Sequence, residues 1–182
     1  HTRVLEVGFG LGLNCLLSAD LASDCQASLD YHAIENDTSV LSLISGVHYR
    51  EQLNHPELYD RLMRGLESLG AKTDVYSTAK RTLEVTLGEN ITLTLHLRDA
   101  IKDALPAGQF DAIYLDAFSP DSNPECWSPE FFSRLREQTA PGGALTTYSA
   151  KGSVRRALMA AGYSVTKLAG PPGKREMLHA GG

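Results

Sequence analysis

Three glycines alternate at Gly8, Gly10 and Gly12, just after a short apolar run that carries an acid, Glu6. An apolar run feeding glycines and then a helical pattern makes a strand, a tight turn and a helix N-terminus. Glycine there permits positive φ and lets a ligand reach the main chain with no Cβ in the way. Three further acids, Glu35, Asp99 and Asp116, stand at the ends of apolar runs of their own. Open α/β sheets bind ligands beyond the carboxyl ends of their strands, so loop and acids together suit a nucleoside. Glu35 stands 23 residues beyond Gly12, a spacing at which a carboxylate accepts hydrogen bonds from both ribose hydroxyls. Asp99 can accept from an adenine amino group while the backbone N–H of Ala100 serves ring nitrogens. Glu6 can take an α-amino group directly or through water. A dinucleotide ribose would suit Glu35 equally well, but the dinucleotide fingerprint requires a glycine three residues after its second one. Leu13 occupies that position.

The elements that must position these residues follow from periodicity. Strands are expected at 2–8, 29–35, 110–116, 144–149, 164–168 and 176–180, and helices at 11–21, 38–44, 56–69, 129–138 and 152–161. Residues 81–97 alternate apolar and polar around Leu87-Gly88-Glu89-Asn90, the pattern of a β-hairpin. Leu58, Leu62, Leu66 and Leu69 form one apolar stripe, read as packing. Pro141-Gly142-Gly143 is expected to be a turn. This alternation makes an α/β fold, with a mainly parallel sheet, helices on both faces and an antiparallel edge strand. The expected organisation is one domain over 1–182, with an insertion carrying a helix and the hairpin at about 45–97.

Bulk properties narrow the class. The chain has 182 residues, 42% hydrophobic and 21% charged, which suits a single globular core. No apolar run approaches the length of a membrane span, and no signal peptide is recognisable. Cys15, Cys25 and Cys126 are odd in number and lack metal-ligand spacing, which favours a cytoplasmic setting. The six histidines are scattered, so no metal is expected. Net charge is −5, but the stretch from Pro141 onward holds six basic residues and one acid. Such segregation can make a local anion-binding surface on an acidic protein. The chain opens on His1 without an initiator methionine and is expected to be an excerpt of something longer.

More specific are Asp116-Ala117-Phe118-Ser119-Pro120 and Asn123-Pro124-Glu125-Cys126-Trp127, with the tail segments 147–156 and 170–177. The tail reads Thr147-Tyr148-Ser149-Ala150-Lys151-Gly152-Ser153-Val154-Arg155-Arg156, then Gly170-Pro171-Pro172-Gly173-Lys174-Arg175-Glu176-Met177. The glycine loop has the shape of the S-adenosylmethionine loop in Rossmann-like methyltransferases. With these segments, Gly8-Phe9-Gly10-Leu11-Gly12-Leu13-Asn14 strongly resembles the methyltransferase domain of the MnmC-type tRNA-modifying enzymes. The resemblance runs from residue 3 to about 180. It implies a Rossmann-like methyltransferase fold and methyl transfer from S-adenosylmethionine to the aminomethyl group of a tRNA wobble uridine, giving 5-methylaminomethyl(-2-thio)uridine. It also implies an FAD-dependent oxidoreductase, fused or separate, as a partner; nothing in this chain represents a flavin domain. The family loop usually has threonine where Leu11 stands, and a family segment before the first strand is absent here.

The expected cofactor set is Glu6, Gly8, Phe9, Gly10, Gly12, Asn14, Glu35, Asp99 and Ala100. Asp116 is the expected catalytic residue, accepting an N–H hydrogen bond from the substrate amine and orienting its lone pair. Phe118, Pro120, Asn123, Trp127, Lys151, Arg155, Arg156, Lys174 and Arg175 are the expected substrate set. Phe118 and Trp127 would flank an extruded base, although Trp127 equally suits an anchor for the following helix. The basic residues would meet phosphates of the anticodon arm. Neighbouring helix residues point about 100° apart, so at most one of Arg155 and Arg156 faces a given phosphate. Two alternatives stay open: another small-substrate methyl- or aminopropyltransferase on the same scaffold, and a non-catalytic module that binds nucleoside or tRNA.

Overall fold

The computed structural model describes residues 1–70, 81–170, 173 and 176–182, the side chains of 69 and 70 aside. In chain order the elements are β1 (Thr2–Val7), α1 (Leu13–Asp24), β2 (Leu29–Glu35), α2 (Glu57–Gly70), β3 (Arg81–Gly88), β4 (Ile91–Leu97) and β5 (Phe110–Leu115), then α3 (Pro129–Glu137), β6 (Thr139–Thr147), α4 (Gly152–Ala160), β7 (Ser164–Ala169) and β8 (Glu176–Gly181). Short 3-10 helices lie at Thr38–Gly46, Arg50–Gln52 and Pro124–Trp127. The chain packs as two compact units. One takes His1–Thr2 and Phe9–Asp99, the other Arg3–Gly8 and Ala100–Gly182.

In the first unit the strand order is β3-β4-β2. β2 and β4 run parallel from Leu29 opposite Ile91 to Glu35 opposite Leu97, and β3 pairs antiparallel with β4 as the expected hairpin. The leucines of α2 at 58, 62 and 66 are buried, as their stripe predicts, while Leu69 lies outside the described side chains. Gly65 permits close approach here. A Cβ on it would lie 2.5 Å from Val85 Cγ2 on β3. Asp20 is buried and accepts from the backbone N–H groups of Asn54 (3.1 Å) and His55 (2.8 Å), which ties α1 to the residues leading into α2.

α1 starts two residues later than its apolar pattern suggests, because Gly10 (φ 53°) and Gly12 (φ 76°) are left-handed and the helix begins only beyond them. It ends in a Schellman arrangement. The Ala27 N–H donates to Ala22 O (2.8 Å) and the Gln26 N–H to Ser23 O (3.1 Å). Gln26 therefore occupies the left-handed position at φ 52°, where glycine is the usual residue. Gln26→Gly is expected to raise stability by about 1 kcal/mol, less whatever flexibility glycine adds to the unfolded chain. A thermal melt should show Tm higher by roughly 2–4 °C. An unchanged or lower Tm would contradict the strain argument.

A directed hydrogen-bond chain crosses β2 and β4. Arg98 Nη2, a donor only, donates a hydrogen bond to His96 Nδ1 (2.9 Å), so the neutral His96 donates from Nε2 to His32 Nδ1 (3.1 Å). His32 Nε2 then lies 3.2 Å from Asp30 Oδ1. Burial, then the charge of Arg98 and the contact with His32, lower the His96 pKa to about 4 and keep it neutral at pH 7.

In the second unit the order is β1-β5-β6-β8-β7. β1, β5 and β6 are parallel; β8 runs antiparallel to both β6 and β7. The expected mainly parallel sheet is borne out, and in this unit the one antiparallel strand, β8, lies between β6 and the edge strand β7 rather than at the edge itself. A short link between β7 and β8 leaves no room for the crossover that parallel pairing needs. β6 also begins earlier than expected, at Thr139. Its pairing with β5 jumps from Phe110–Thr139 to Ala112–Ala144, so Pro141-Gly142-Gly143 forms a bulge within the strand rather than a turn before it. Gly142 is left-handed there (φ 79°), and a Cβ on Gly143 would lie 2.8 Å from Phe110 O. α3 is capped by Ser128, whose hydroxyl accepts from the Phe131 N–H (3.1 Å), with Pro129 in the first turn. The core of this unit includes Leu5, Phe110, Ile113, Phe132, Leu135 and Leu145.

Candidate functional site

In the first unit the glycine loop is tied to the carboxyl end of β2. Phe9 N–H donates to Ile34 O (3.2 Å), and the Gly10 N–H donates to Glu35 Oε2 (2.9 Å). Glu35 Oε1 accepts from the N–H groups of Asn36 and Asp37, both at 2.9 Å. A carboxylate has about four acceptor positions, so Glu35 organises the loop with three and keeps capacity for about one more donor. Two ribose hydroxyls would therefore have to share that remaining capacity.

The loop glycines are required for different reasons. A Cβ on Gly12 would lie 2.9 Å from the Phe9 ring, whereas a Cβ on Gly10 would meet nothing within 4 Å. Gly12 is needed for packing and Gly10 for an open backbone. The Phe9 side chain is buried beneath the loop at 3% exposure, so only its main chain is available to a ligand. Asn14 lies half-buried in the first turn of α1, and Asp99 half-buried two residues past the partner of Glu35 on β4.

In the second unit Glu6 is fully buried on β1, opposite Tyr114 of β5, and Ala100 is buried as well. The residues after β5 form a turn whose backbone is held at successive peptides. The Asp116 N–H donates to Val7 O (3.0 Å), Tyr148 Oη to Ala117 O (3.0 Å) and Trp127 Nε1 to Phe118 O (2.9 Å). Gly8 packs against the same turn, since a Cβ on it would lie 2.8 Å from Asp116 O. The Asp116 side chain is nonetheless exposed, and the Phe118 ring is 73% exposed. A carboxylate and an apolar ring thus emerge together from a fixed backbone.

Trp127 resolves to the anchoring one of its two readings. Its ring is only 5% exposed and meets Tyr148 edge-on at 5.9 Å, so it has no open face for a base. Pro120 and Asn123 are half-buried in the following loop, where Ser122 and Asn123 donate their N–H groups to Ser119 O. Lys151, expected to meet phosphate, is exposed and pairs with Asp121 at 2.5 Å. Arg155 and Arg156 are exposed on α4 and join no ion pair among the described residues. Lys174 and Arg175 lie outside the described residues.

Sequence reasoning missed Tyr148 as part of this arrangement. Burial and the nearby Asp116 charge both raise its pKa, burial the more strongly, so it is a neutral hydrogen-bond donor at pH 7. The residue stood in a quoted motif, but no charge or spacing marked it. Among the described residues no group of three or more His, Cys, Asp or Glu side chains is arranged to hold a metal, and no helix is long and apolar enough to cross a membrane.

Comparison with known proteins adds independent findings. The family model described as S-adenosyl-L-methionine-dependent methyltransferase matches residues 67–181. The chain is 32% identical, over 97% of its length, to the tRNA 5-methylaminomethyl-2-thiouridine biosynthesis bifunctional protein MnmC of Psychrobacter sp. (strain PRwf-1). It is 36% identical, over 95% of its length, to the protein of the same name from Pseudomonas savastanoi pv. phaseolicola. It spans only 28% and 26% of those two proteins. Among solved structures, that of MNMC2 from Aquifex aeolicus superposes with a TM-score of 0.67 at 28% identity, covering 98% of this chain and 52% of that one.

Proposed function

The chain belongs to the S-adenosyl-L-methionine-dependent methyltransferase family, and from that premise we propose that it methylates the aminomethyl group of a modified wobble uridine in tRNA. The product would be 5-methylaminomethyl(-2-thio)uridine, made in the cytoplasm. An FAD-dependent oxidoreductase, fused or separate, would act on the same nucleoside. The observation that carries this reading is the turn after β5, which presents the Asp116 carboxylate and the Phe118 ring outward from a pinned backbone.

The residues present suit the donor. Gly10 offers open backbone and Glu35 a loop-anchored carboxylate that would serve ribose; Asp99 and the Ala100 N–H are each proposed to serve adenine. Gly8, Gly12, Phe9 and Asn14 would shape the loop, and Glu6, fully buried on β1, would act on the α-amino group through water rather than directly. S-adenosylmethionine, when bound, would supply a methyl group on a sulfonium: as the amine nitrogen bonds the methyl carbon in line, the C–S bond would break, leaving S-adenosylhomocysteine and one proton. Asp116 accepts an N–H hydrogen bond from the neutral amine and aims its lone pair; the departing proton leaves for water. Positioning and exclusion of water supply most of the acceleration.

On the tRNA side, Phe118 offers a stacking face worth about 1–3 kcal/mol per base. Arg155 and Arg156, exposed on α4, would meet phosphates of the anticodon arm, a role also proposed for Lys174 and Arg175, which lie outside the described residues. Pro120 and Asn123 would shape the loop that follows Phe118. Lys151 contributes to phosphate only if Asp121 releases it.

The test uses purified protein, S-adenosylmethionine labelled in its methyl group, and tRNA from a strain lacking the modification. Label is expected in the wobble nucleoside, and tRNA affinity should fall steeply with salt. Label confined to a free small amine, or affinity indifferent to ionic strength, would overturn the tRNA assignment. Cofactor binding with no transfer to any acceptor would favour a binding module.

A further inference from the structure

We propose that Tyr148 and Trp127 are positioning residues that act as a paired clamp on the Asp116–Phe118 turn, holding carboxylate and ring outward without themselves meeting substrate. The proposal rests on the methyl-transfer reading above and adds to it the parts that set the geometry of its acid. The two aromatic side chains donate to consecutive carbonyls, Ala117 O at 3.0 Å and Phe118 O at 2.9 Å, and contact each other edge-on. Consecutive carbonyls of an extended or turning chain point in different directions, so two donors fix the orientation of the peptide planes as well as their position. The Asp116 N–H to Val7 O bond fixes the peptide before them.

Each clamp residue is itself held. Trp127 ends the short helix Pro124–Trp127 and is buried, and Tyr148 follows directly on β6. Asp116 is exposed and the Phe118 ring is 73% exposed, and the peptides that carry them are held through Val7 O, Ala117 O and Phe118 O. The clamp therefore bears on their direction through the backbone. A misplacement of about 1 Å in a reacting group can reduce rate a hundredfold, so loss of one carbonyl anchor should appear in turnover.

Tyr148→Phe keeps the ring and its edge contact and deletes only the hydroxyl. Its kcat with tRNA is expected to fall about tenfold or more, with S-adenosylmethionine affinity within about twofold of wild type. Trp127 is the sole tryptophan, so its fluorescence reports on the clamp directly; acrylamide quenching should increase in the variant. The discriminating measurement is the same change made on Asp116→Ala. If Tyr148 acts through Asp116, the further loss of kcat there should nearly vanish, because coupled residues are not additive. A general loss of structure would instead repeat in full. Trp127→Phe, which deletes the Nε1–H donor, is expected to give the same kinetic pattern and replaces Tyr148→Phe should that variant not fold.

A kcat loss smaller than about threefold, or one equal on both backgrounds, would overturn the clamp. Failure of the wild-type protein to label tRNA would count against the functional reading instead. The clamp would then be judged by quenching alone, with protection equal to wild type in Tyr148→Phe overturning it.

Discussion

Asp116→Ala is expected to lower methyl transfer by about two to three orders of magnitude while leaving S-adenosylmethionine affinity within about twofold. The side chain is exposed beyond β5, on a turn whose peptides are fixed by Val7, Tyr148 and Trp127. In the proposed mechanism its removal therefore deletes the acceptor for the substrate amine, with little disturbance to the fold. An ordinary carboxylate is too weak a base to strip an ammonium alone, so the loss reflects orientation of the lone pair more than proton removal. Asp116→Asn keeps one oxygen acceptor and should retain more activity than alanine. Calorimetry of cofactor binding beside single-turnover label transfer checks this. Weakened cofactor binding with normal transfer at saturation would make Asp116 a cofactor ligand instead.

Glu35→Ala is expected to weaken S-adenosylmethionine binding about a hundredfold, near 2.7 kcal/mol, and to destabilise the fold as well. Three backbone donors, from Gly10, Asn36 and Asp37, converge on this carboxylate. A buried donor left without an acceptor costs about 1–3 kcal/mol, though water can reach part of this loop and reduce the sum. Glu35→Gln should fare little better. If the amide oxygen takes the Asn36 and Asp37 donors, its NH2 is left facing the Gly10 N–H, two donors nose to nose. Titration calorimetry and thermal melting separate the two effects. Affinity within about threefold of wild type would show that Glu35 builds the loop without meeting the ligand.

Much of this arrangement is legible in the chain because strands that end on acids advertise themselves. Residues 29–35 are a strand from end to end as expected, and the hairpin at 81–97 forms around its Gly88-Glu89-Asn90 turn. The misplacements share a cause: backbone conformations that side-chain periodicity does not encode. Leu11 fits the helical pattern of α1, yet it sits between two left-handed glycines. Pro141-Gly142-Gly143 has turn chemistry, yet the chain bulges there and stays in register with β5 afterwards.

Partnerships across distance were beyond the sequence for another reason. Nothing in the text of the chain says that Lys151 will find Asp121, 30 residues away, or that Tyr148 will reach Ala117 O. Burial decided Trp127. An indole beside a proline-rich loop suits a base or a core equally until its N–H is seen to be engaged inside.

The absence of a side chain at Gly8 has an evolutionary corollary. The first glycine of the loop touches the very peptide that carries Asp116, with room for a hydrogen and nothing larger. Any lineage that altered residue 8 to suit a different donor would shift its acid in the same stroke. In the proposed mechanism donor choice and acceptor chemistry are thereby yoked at one position, and a change in either must arrive with compensation in the other.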